Sequence, residues 1–149
     1  MKTKNGTLAI ERTYPADVQK VWKSLTDPKE MRQWYFDLPG FKPEPGYRFE
    51  FTGGTDDIQY KHFCEVLEAH PEKLISYTWK YDGIDADSKV RFELFSEGNS
   101  TRVVMTHSGI DTFGKHDPNL HTRNFEEGWR DIMNRMLWEH LEHAPVPCD

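Results

Sequence analysis

Cysteine is scarce in this chain of 149 residues, which holds only Cys64 and Cys148. Two cysteines so far apart match neither the ligand spacing of a zinc site nor the density of a disulfide-stapled fold. The opening residues, MKTKNGTLAIE, contain no apolar core of a secretory signal peptide. No apolar run approaches the roughly 18 residues that a membrane-spanning helix needs. We therefore expect a reduced, cytoplasmic protein without a membrane span.

Basic residues are fewer than acidic residues in this chain. The chain carries 25 acidic and 19 basic residues, which gives a formal net charge of −6. The basic residues form no cluster, and a negative surface repels a phosphate backbone. Nucleic acid is therefore not an expected partner.

The common catalytic and metal-binding motifs are missing as well. There is no G-x-S-x-G elbow and no phosphate loop. Ser108 stands beside His107, but adjacent residues of a strand face opposite sides of the sheet, so the two cannot pair. The histidines near the C-terminus match neither HExxH nor a Cys–His zinc spacing: His116, His121, His140 and His143. We expect neither a bound metal nor a cofactor.

Aromatic residues, by contrast, make up 13% of the chain, and many fall in short segments that alternate like strands. Five such segments are separated by turn residues: GYRFEFTGG, YKHFCEVLEA, KLISYTWKY, SKVRFELF and STRVVMTHSG. Together with a first strand at about residues 7–13, they predict a six-stranded antiparallel sheet with one buried face. Two short helices are predicted after the first strand, one beginning at Pro15 and one within PKEMRQWYF.

The segment NFEEGWRDIMNRMLWEHLEH predicts a long helix over residues 124–143, capped by Asn124, with Asp117 and Pro118 as an alternative start. At 100° per residue its apolar stripe comprises Phe125, Trp129, Ile132, Met133, Met136, Leu137 and His140. In an α+β layout this stripe must cover the apolar face of the sheet. Trp138 falls opposite the stripe. It is predicted to face away from the sheet, either as a homodimer or protein-partner contact or as a lone surface tryptophan.

Four segments in this order resemble a known family: AIERTYPADVQKVWKSLTDPKEMRQWY, CEVLEAHPEKLISYTW, STRVVMTHSGI and GWRDIMNRML. They are similar to the activator-of-Hsp90-ATPase-like branch of the START/Bet v 1 (SRPBCC) superfamily, and the match covers nearly the whole chain. The resemblance implies a helix-grip fold, in which a curved antiparallel sheet grips a long C-terminal helix, often around an apolar cavity. It also implies one domain over residues 1–149, with a core at about residues 7–143.

Fold alone does not select a function, because the superfamily includes lipid carriers, hormone binders and aromatic cyclases. The predicted inward-facing residues are mostly Phe, Tyr, Trp and Met, whereas a core built only for stability would favour Leu, Ile and Val. We predict that a small apolar or aromatic molecule binds between sheet and helix, the alternative being that these rings simply fill the grip. The predicted lining comprises Trp34, Tyr47, Phe51, Tyr77, Trp79, Phe92, Met105, His107, Trp129, Met133 and Met136.

Tyr77 and His107 are the predicted hydrogen-bonding anchors, and strand register also turns His62 and Cys64 inward. His107 either orients a ligand or is a structural histidine bonded to a backbone carbonyl or a buried tyrosine hydroxyl. Two other functions stay open. One is a protein-interaction module that acts as an Hsp90-activator-like co-chaperone or stress-response protein. The other is a cyclase-like enzyme that uses His107 or His62 as acid or base.

Overall fold

The computed structural model describes residues 2–4, 6–54, 59–84, 87–115 and 122–143. All six predicted strands are present in one antiparallel sheet: β2 (Thr7–Tyr14), β3 (Arg48–Gly54), β4 (Gln59–His70), β5 (Leu74–Tyr81), β6 (Asp87–Glu97) and β7 (Ser100–Ser108). A seventh strand, β1 (Lys2–Lys4), was not predicted and pairs with β2 at the edge. The strand order is β1-β2-β7-β6-β5-β4-β3.

The sheet buries one face, as the alternation predicts. Along β7 the residues Thr101, Val103, Met105 and His107 are buried, while their neighbours are only half-buried. Register aligns the inward residues of neighbouring strands, so that Tyr77, Val90, His107 and Leu8 form one row across β5, β6, β7 and β2. Tyr77 and His107 therefore face the interior together.

Two short helices follow β2: α1 (Val18–Thr26) and α2 (Pro28–Trp34). Helix α1 begins after Asp17, whose carboxylate accepts a hydrogen bond from the Lys20 amide at 2.9 Å. The prediction that this helix starts at Pro15 is wrong. The helix starts after Asp17 because the Asp17 side chain can accept a hydrogen bond from an amide of the first turn, whereas the side chain of Pro15 has no acceptor. Helix α2 begins at Pro28 as predicted, after the cap Asp27.

The C-terminal helix spans residues 122–143 in three parts: α3 (Thr122–Asp131), a π-helical turn (Ile132–Met136) and α4 (Leu137–His143). A 3₁₀ helix, Ile110–Lys115, precedes it in the chain. The helix begins at Thr122, so the predicted cap Asn124 lies inside its first turn. The alternative start at Asp117 and Pro118 lies outside the described residues. None of the helices in the described ranges is long and apolar enough to cross a membrane.

The π-helical turn changes which side chains the C-terminal helix buries. The amide of Leu137 bonds to the carbonyl of Ile132, five residues back, which adds one residue to this turn. Every later side chain is therefore rotated relative to a regular α-helical wheel. The buried residues follow a spacing of four through the turn: Phe125, Trp129, Met133, Leu137 and Leu141.

One position predicted from the regular wheel is wrong for this reason. Met136 and His140, predicted on the apolar stripe, do lie on it but are half-buried at its edges, where Met136 packs against the core and the His140 ring lies 6.4 Å from that of Trp34. Trp138, predicted to face away from the sheet, packs instead against Tyr14 of β2 with 5.9 Å between ring centroids. The guanidinium of Arg12 lies 4.7 Å from the centre of the same indole. The helix thus covers the inward face of β2 with a residue that sequence periodicity assigns to solvent.

Candidate functional site

The space between the sheet and the C-terminal helix is filled largely by aromatic side chains. Trp129 of α3 packs against Trp79 of β5 and Phe92 of β6, with centroid separations of 5.6 and 5.9 Å. Nine of the predicted lining residues are buried here or close by: Trp34, Phe51, Tyr77, Trp79, Phe92, Met105, His107, Trp129 and Met133. Sequence alternation therefore identified most of the interior.

Two of the predicted lining residues lie at the rim instead. Tyr47 stands just before β3, and its hydroxyl donates to the carbonyl of Gly40 at 3.0 Å. Its ring packs edge-on against Phe41, so it contacts the connection between α2 and β3. Met136 is half-buried within the π-helical turn.

His107 is held by a complete chain of hydrogen bonds. Trp129 donates its indole N–H to Nδ1 of His107 at 2.9 Å. Nδ1 must therefore carry a lone pair, and the hydrogen on Nε2 is donated to Oγ of Ser88 at 2.7 Å. Ser88 in turn donates to the carbonyl of Trp79 at 2.8 Å. Both ring nitrogens are occupied, so His107 has the structural arrangement, with Ser88 and Trp129 as partners in place of the predicted carbonyl or tyrosine hydroxyl.

Burial keeps both inward histidines neutral. It lowers the pKa of His107 to about 3, with a smaller contribution from the nearby His62. Burial also lowers the pKa of His62 to about 4, against hydrogen bonds to backbone carbonyls that include that of Tyr60 at 2.9 Å. The His62 ring stacks on Phe51 with 4.3 Å between centroids. Neither imidazole is protonated near neutral pH, so neither can be the general acid of the cyclase alternative.

A second polar group lies on the β3–β5 side of the interior. The hydroxyls of Tyr35 and Tyr77 are 2.7 Å apart, and the Trp79 indole donates to the hydroxyl of Tyr81 at 2.8 Å. Burial raises the pKa of all three phenols and of the Cys64 thiol. A protonated, buried thiol is not a nucleophile. These side chains therefore provide uncharged hydrogen-bonding atoms that are surrounded by aromatic rings.

Sequence reasoning missed Tyr81 at the end of β5, and it also missed Tyr35 and Phe36. The latter two follow α2 within residues 35–47, which connect to β3 without regular secondary structure. Phe36 stacks on Phe51 at 4.2 Å, over Gly53, where an added Cβ would lie 2.8 Å from the Phe36 ring. We call Tyr35 and Phe36 the aromatic plug. Their signal in the sequence was the aromatic run that starts at Trp34, of which the helical pattern explains only the first member.

Two surface clefts lie away from this interior. One of about 700 Å³ borders the β4–β5 hairpin and includes Val18, Leu74 and Phe95. The other, about 480 Å³, is lined by residues of β3, β4 and β5 such as Arg48 and Phe63. Neither includes a residue of the C-terminal helix. Within the described residues, no group of three or more His, Cys, Asp or Glu side chains is placed to hold a metal ion.

Comparison with known proteins places the chain in a family. The family described as "Activator of Hsp90 ATPase homolog 1-like protein" matches residues 15–142. The chain belongs to this family. Its fold is one that commonly binds hydrophobic ligands. No curated protein matches the sequence.

Solved structures of similar proteins confirm the helix-grip fold. Protein MLL2253 from Mesorhizobium loti is 27% identical, with a TM-score of 0.75 over 94% of this chain and 99% of its own. CalU16 from Micromonospora echinospora is 22% identical, with a TM-score of 0.73 over 95% of this chain and 77% of its own. DynU16, from the dynemicin biosynthetic locus, is 21% identical, with a TM-score of 0.76 over 95% of this chain and 49% of its own.

Proposed function

We propose that this protein binds a small apolar or aromatic molecule between the sheet and the C-terminal helix, in space that the Phe36 ring of the aromatic plug occupies in the free protein, with Tyr35 left in place. The observation that carries the proposal is the origin of the plug. Tyr35 and Phe36 come from an irregular connection, whereas the rings around them are fixed on strands and on α3. An irregular connection moves away from the core at a lower cost in free energy than a paired strand does, so a ligand can enter the interior on this side.

The surroundings of Phe36 suit a flat apolar ligand. Its ring stacks nearly parallel on Phe51, with an interplanar angle of 28°, and lies 6.5 Å from the ring of Trp79. Tyr35 reaches to 6.4 Å from Trp129 on the helix. A planar ligand that replaced the Phe36 ring would keep the contacts with Phe51 and Trp79 and would lie beside Tyr35, because stacked and edge-on aromatic pairs do not depend on which molecule supplies the ring.

Native mass spectrometry of the freshly purified protein, followed by solvent extraction, is the first test. A co-purifying apolar molecule would support the proposal. The second test is titration with 2-ethylnaphthalene, in which the change in tryptophan fluorescence measures binding. In Phe36→Ala the competing ring is gone, so we expect the dissociation constant to fall about fivefold or more.

The matched control for the titration is Phe95→Ala, which removes an exposed phenylalanine of β6 and should leave the dissociation constant unchanged. A clean protein mass, together with no binding by either the wild type or Phe36→Ala, would overturn the proposal.

The protein-interaction alternative is supported by the family description alone. This alternative predicts that 2-ethylnaphthalene does not bind in the titration. It also predicts a complex with an Hsp90-type ATPase in size-exclusion chromatography. A partner contact through Trp138 would use whatever part of that ring Arg12 and Glu142 leave open, since the indole also donates to Glu142 at 2.7 Å. A Trp138→Glu variant that changes from dimer to monomer in light scattering would establish self-association.

Cytoplasmic placement stays a prediction from the cysteine content and the opening residues.

A further inference from the structure

Tyr35 and Tyr77, the tyrosine pair, hold one more hydroxyl hydrogen than they use. Their oxygens are 2.7 Å apart, and either can be the donor. Two hydroxyls carry two hydrogens, and the mutual bond uses one of them. Among the described residues, neither hydroxyl has a further hydrogen-bond partner. The second hydrogen is therefore available to an acceptor that enters beside the pair.

Among the fully buried side chains of the described residues, none carries a charge that could balance an anion beside the pair. Within the described part of the chain, the buried polar side chains are serines, threonines, His62 and His107, with no Lys, Arg, Asp or Glu among them. Both histidines are neutral because burial lowers their pKa values. Arg12 faces inward on β2, but it lies over Trp138, three strand spacings or about 14 Å from β5. A carboxylate beside Tyr77 would thus be buried without a counter-charge, which is strongly unfavourable.

We propose that the tyrosine pair selects ligands with an uncharged hydrogen-bond acceptor, such as a ketone or ester carbonyl on an aromatic or apolar frame, over matched carboxylates and hydrocarbons. The inference rests on the proposed ligand site. The ligand carbonyl accepts a hydrogen bond from the hydroxyl hydrogen that the mutual bond leaves unused. The mutual bond also polarises the donating hydroxyl, which strengthens the hydrogen bond to the ligand. A hydrocarbon leaves that hydrogen unused.

Three ligands of one shape test the inference: 2-acetylnaphthalene, 2-ethylnaphthalene and 2-naphthoate, each titrated calorimetrically into the full chain at pH 7.5. We expect the acetyl compound to bind tightest and the carboxylate to bind at least tenfold more weakly than it. The decisive quantity is the ratio of the acetyl to the ethyl dissociation constant. In the double variant Tyr35→Phe/Tyr77→Phe, which keeps both rings and removes both hydrogens, the advantage of the acetyl compound should fall about fivefold.

The single variants identify the donor. Each retains one hydroxyl hydrogen, so the acetyl advantage should survive in the single variant that keeps the hydroxyl facing the ligand. Tyr47→Phe is the matched control, because its hydroxyl donates to Gly40 at the rim and its loss should leave the ratio unchanged.

The outcomes separate the inference from the proposed function. If both uncharged compounds bind and their ratio is the same in wild type and double variant, the inference is overturned while the ligand site stands. Tightest binding of 2-naphthoate would also overturn it. If none of the three compounds binds the wild type or Phe36→Ala, the ligand site itself fails. If the double variant does not fold, the wild-type ranking decides, and a carboxylate that equals the acetyl compound overturns the inference.

Discussion

Single buried polar residues determine how much of this interior is free to interact with a ligand. Ser88 is small, 4% exposed, and placed between His107 and the carbonyl of Trp79. It uses its hydroxyl both as acceptor and as donor. Alternation along β6 and β7 predicts that these side chains face inward. It does not predict their mutual bonds, since these depend on strand register and on where α3 places Trp129.

We expect Ser88→Ala to lower the free energy of unfolding by about 1–3 kcal/mol. The substitution leaves the Nε2 hydrogen of His107 buried without an acceptor, and the carbonyl of Trp79 loses a donor. Equilibrium unfolding in urea measures the change.

Ser96→Ala is the matched control, because Ser96 is exposed near the end of the same strand and its loss should change stability by less than about 0.5 kcal/mol. Equal effects of the two substitutions would show that the Ser88–His107 bond contributes nothing to stability.

At the scale of elements, the C-terminal helix is the part that sequence periodicity described least well. Its amphipathic stripe predicted that it covers the sheet, and this is confirmed. Beyond Asp131 the wheel correctly placed Met133 and Leu137 on the buried side. It wrongly assigned Trp138 to solvent, because one inserted residue in the π-helical turn rotates the later side chains. That rotation also places His140 beside α2, where its Nε2 lies 2.9 Å from a carboxylate oxygen of Glu30.

Tyr14 of β2 stabilises the π-helical turn. Because the Leu137 amide bonds to Ile132, the carbonyl of Met133 lacks the partner it would have in an α-helix. The Tyr14 hydroxyl donates to that carbonyl at 2.7 Å. A bond between residues 119 positions apart thus satisfies a group that the helix itself leaves open.

We expect Tyr14→Phe to lower the free energy of unfolding by about 1–2 kcal/mol, because a buried carbonyl loses its donor while the ring is retained. Amide hydrogen exchange should also become faster around residues 132–138. Tyr47→Phe is the control, since solvent can replace that bond at the rim. Unchanged stability and exchange in Tyr14→Phe would show that the turn does not need this hydrogen bond.

Across the whole molecule, the two buried neutral histidines make stability depend on pH. Their folded pKa values, about 4 for His62 and about 3 for His107, lie below the ordinary 6.5. Between those values and pH 6.5 the unfolded chain binds more protons than the folded chain. Stability is therefore complete above pH 6.5 and declines as the pH falls below it.

From pH 7.5 to pH 5 we expect the free energy of unfolding to fall by about 2 kcal/mol for each histidine. Urea unfolding at a series of pH values measures this slope. His62→Gln removes one of the two groups, so its slope should be about half that of the wild type. An identical slope in the variant would show that His62 is not held neutral by the fold.

The sequence by itself determined the elements and most of the interior. Residues that alternate with a period of two predicted six strands and turned Tyr77, Trp79, Phe92 and His107 inward. Backbone geometry fixes that period without reference to the rest of the chain. The stripe from Phe125 to Met133 likewise predicted the covering helix. The edge strand β1, with sequence KTK, escaped notice because it has no apolar alternation to detect.

Only the tertiary structure decided which polar atoms meet. Tyr35 bonds to Tyr77 across 42 positions of sequence, and Phe36 lies over Gly53 because the connection after α2 folds back onto β3. In the same way, the carbonyl of Met133 in the π-helical turn accepts its bond from a hydroxyl of the distant strand β2. Local periodicity states which side a residue faces. Partners between distant elements follow from register and packing, which no short stretch of sequence contains.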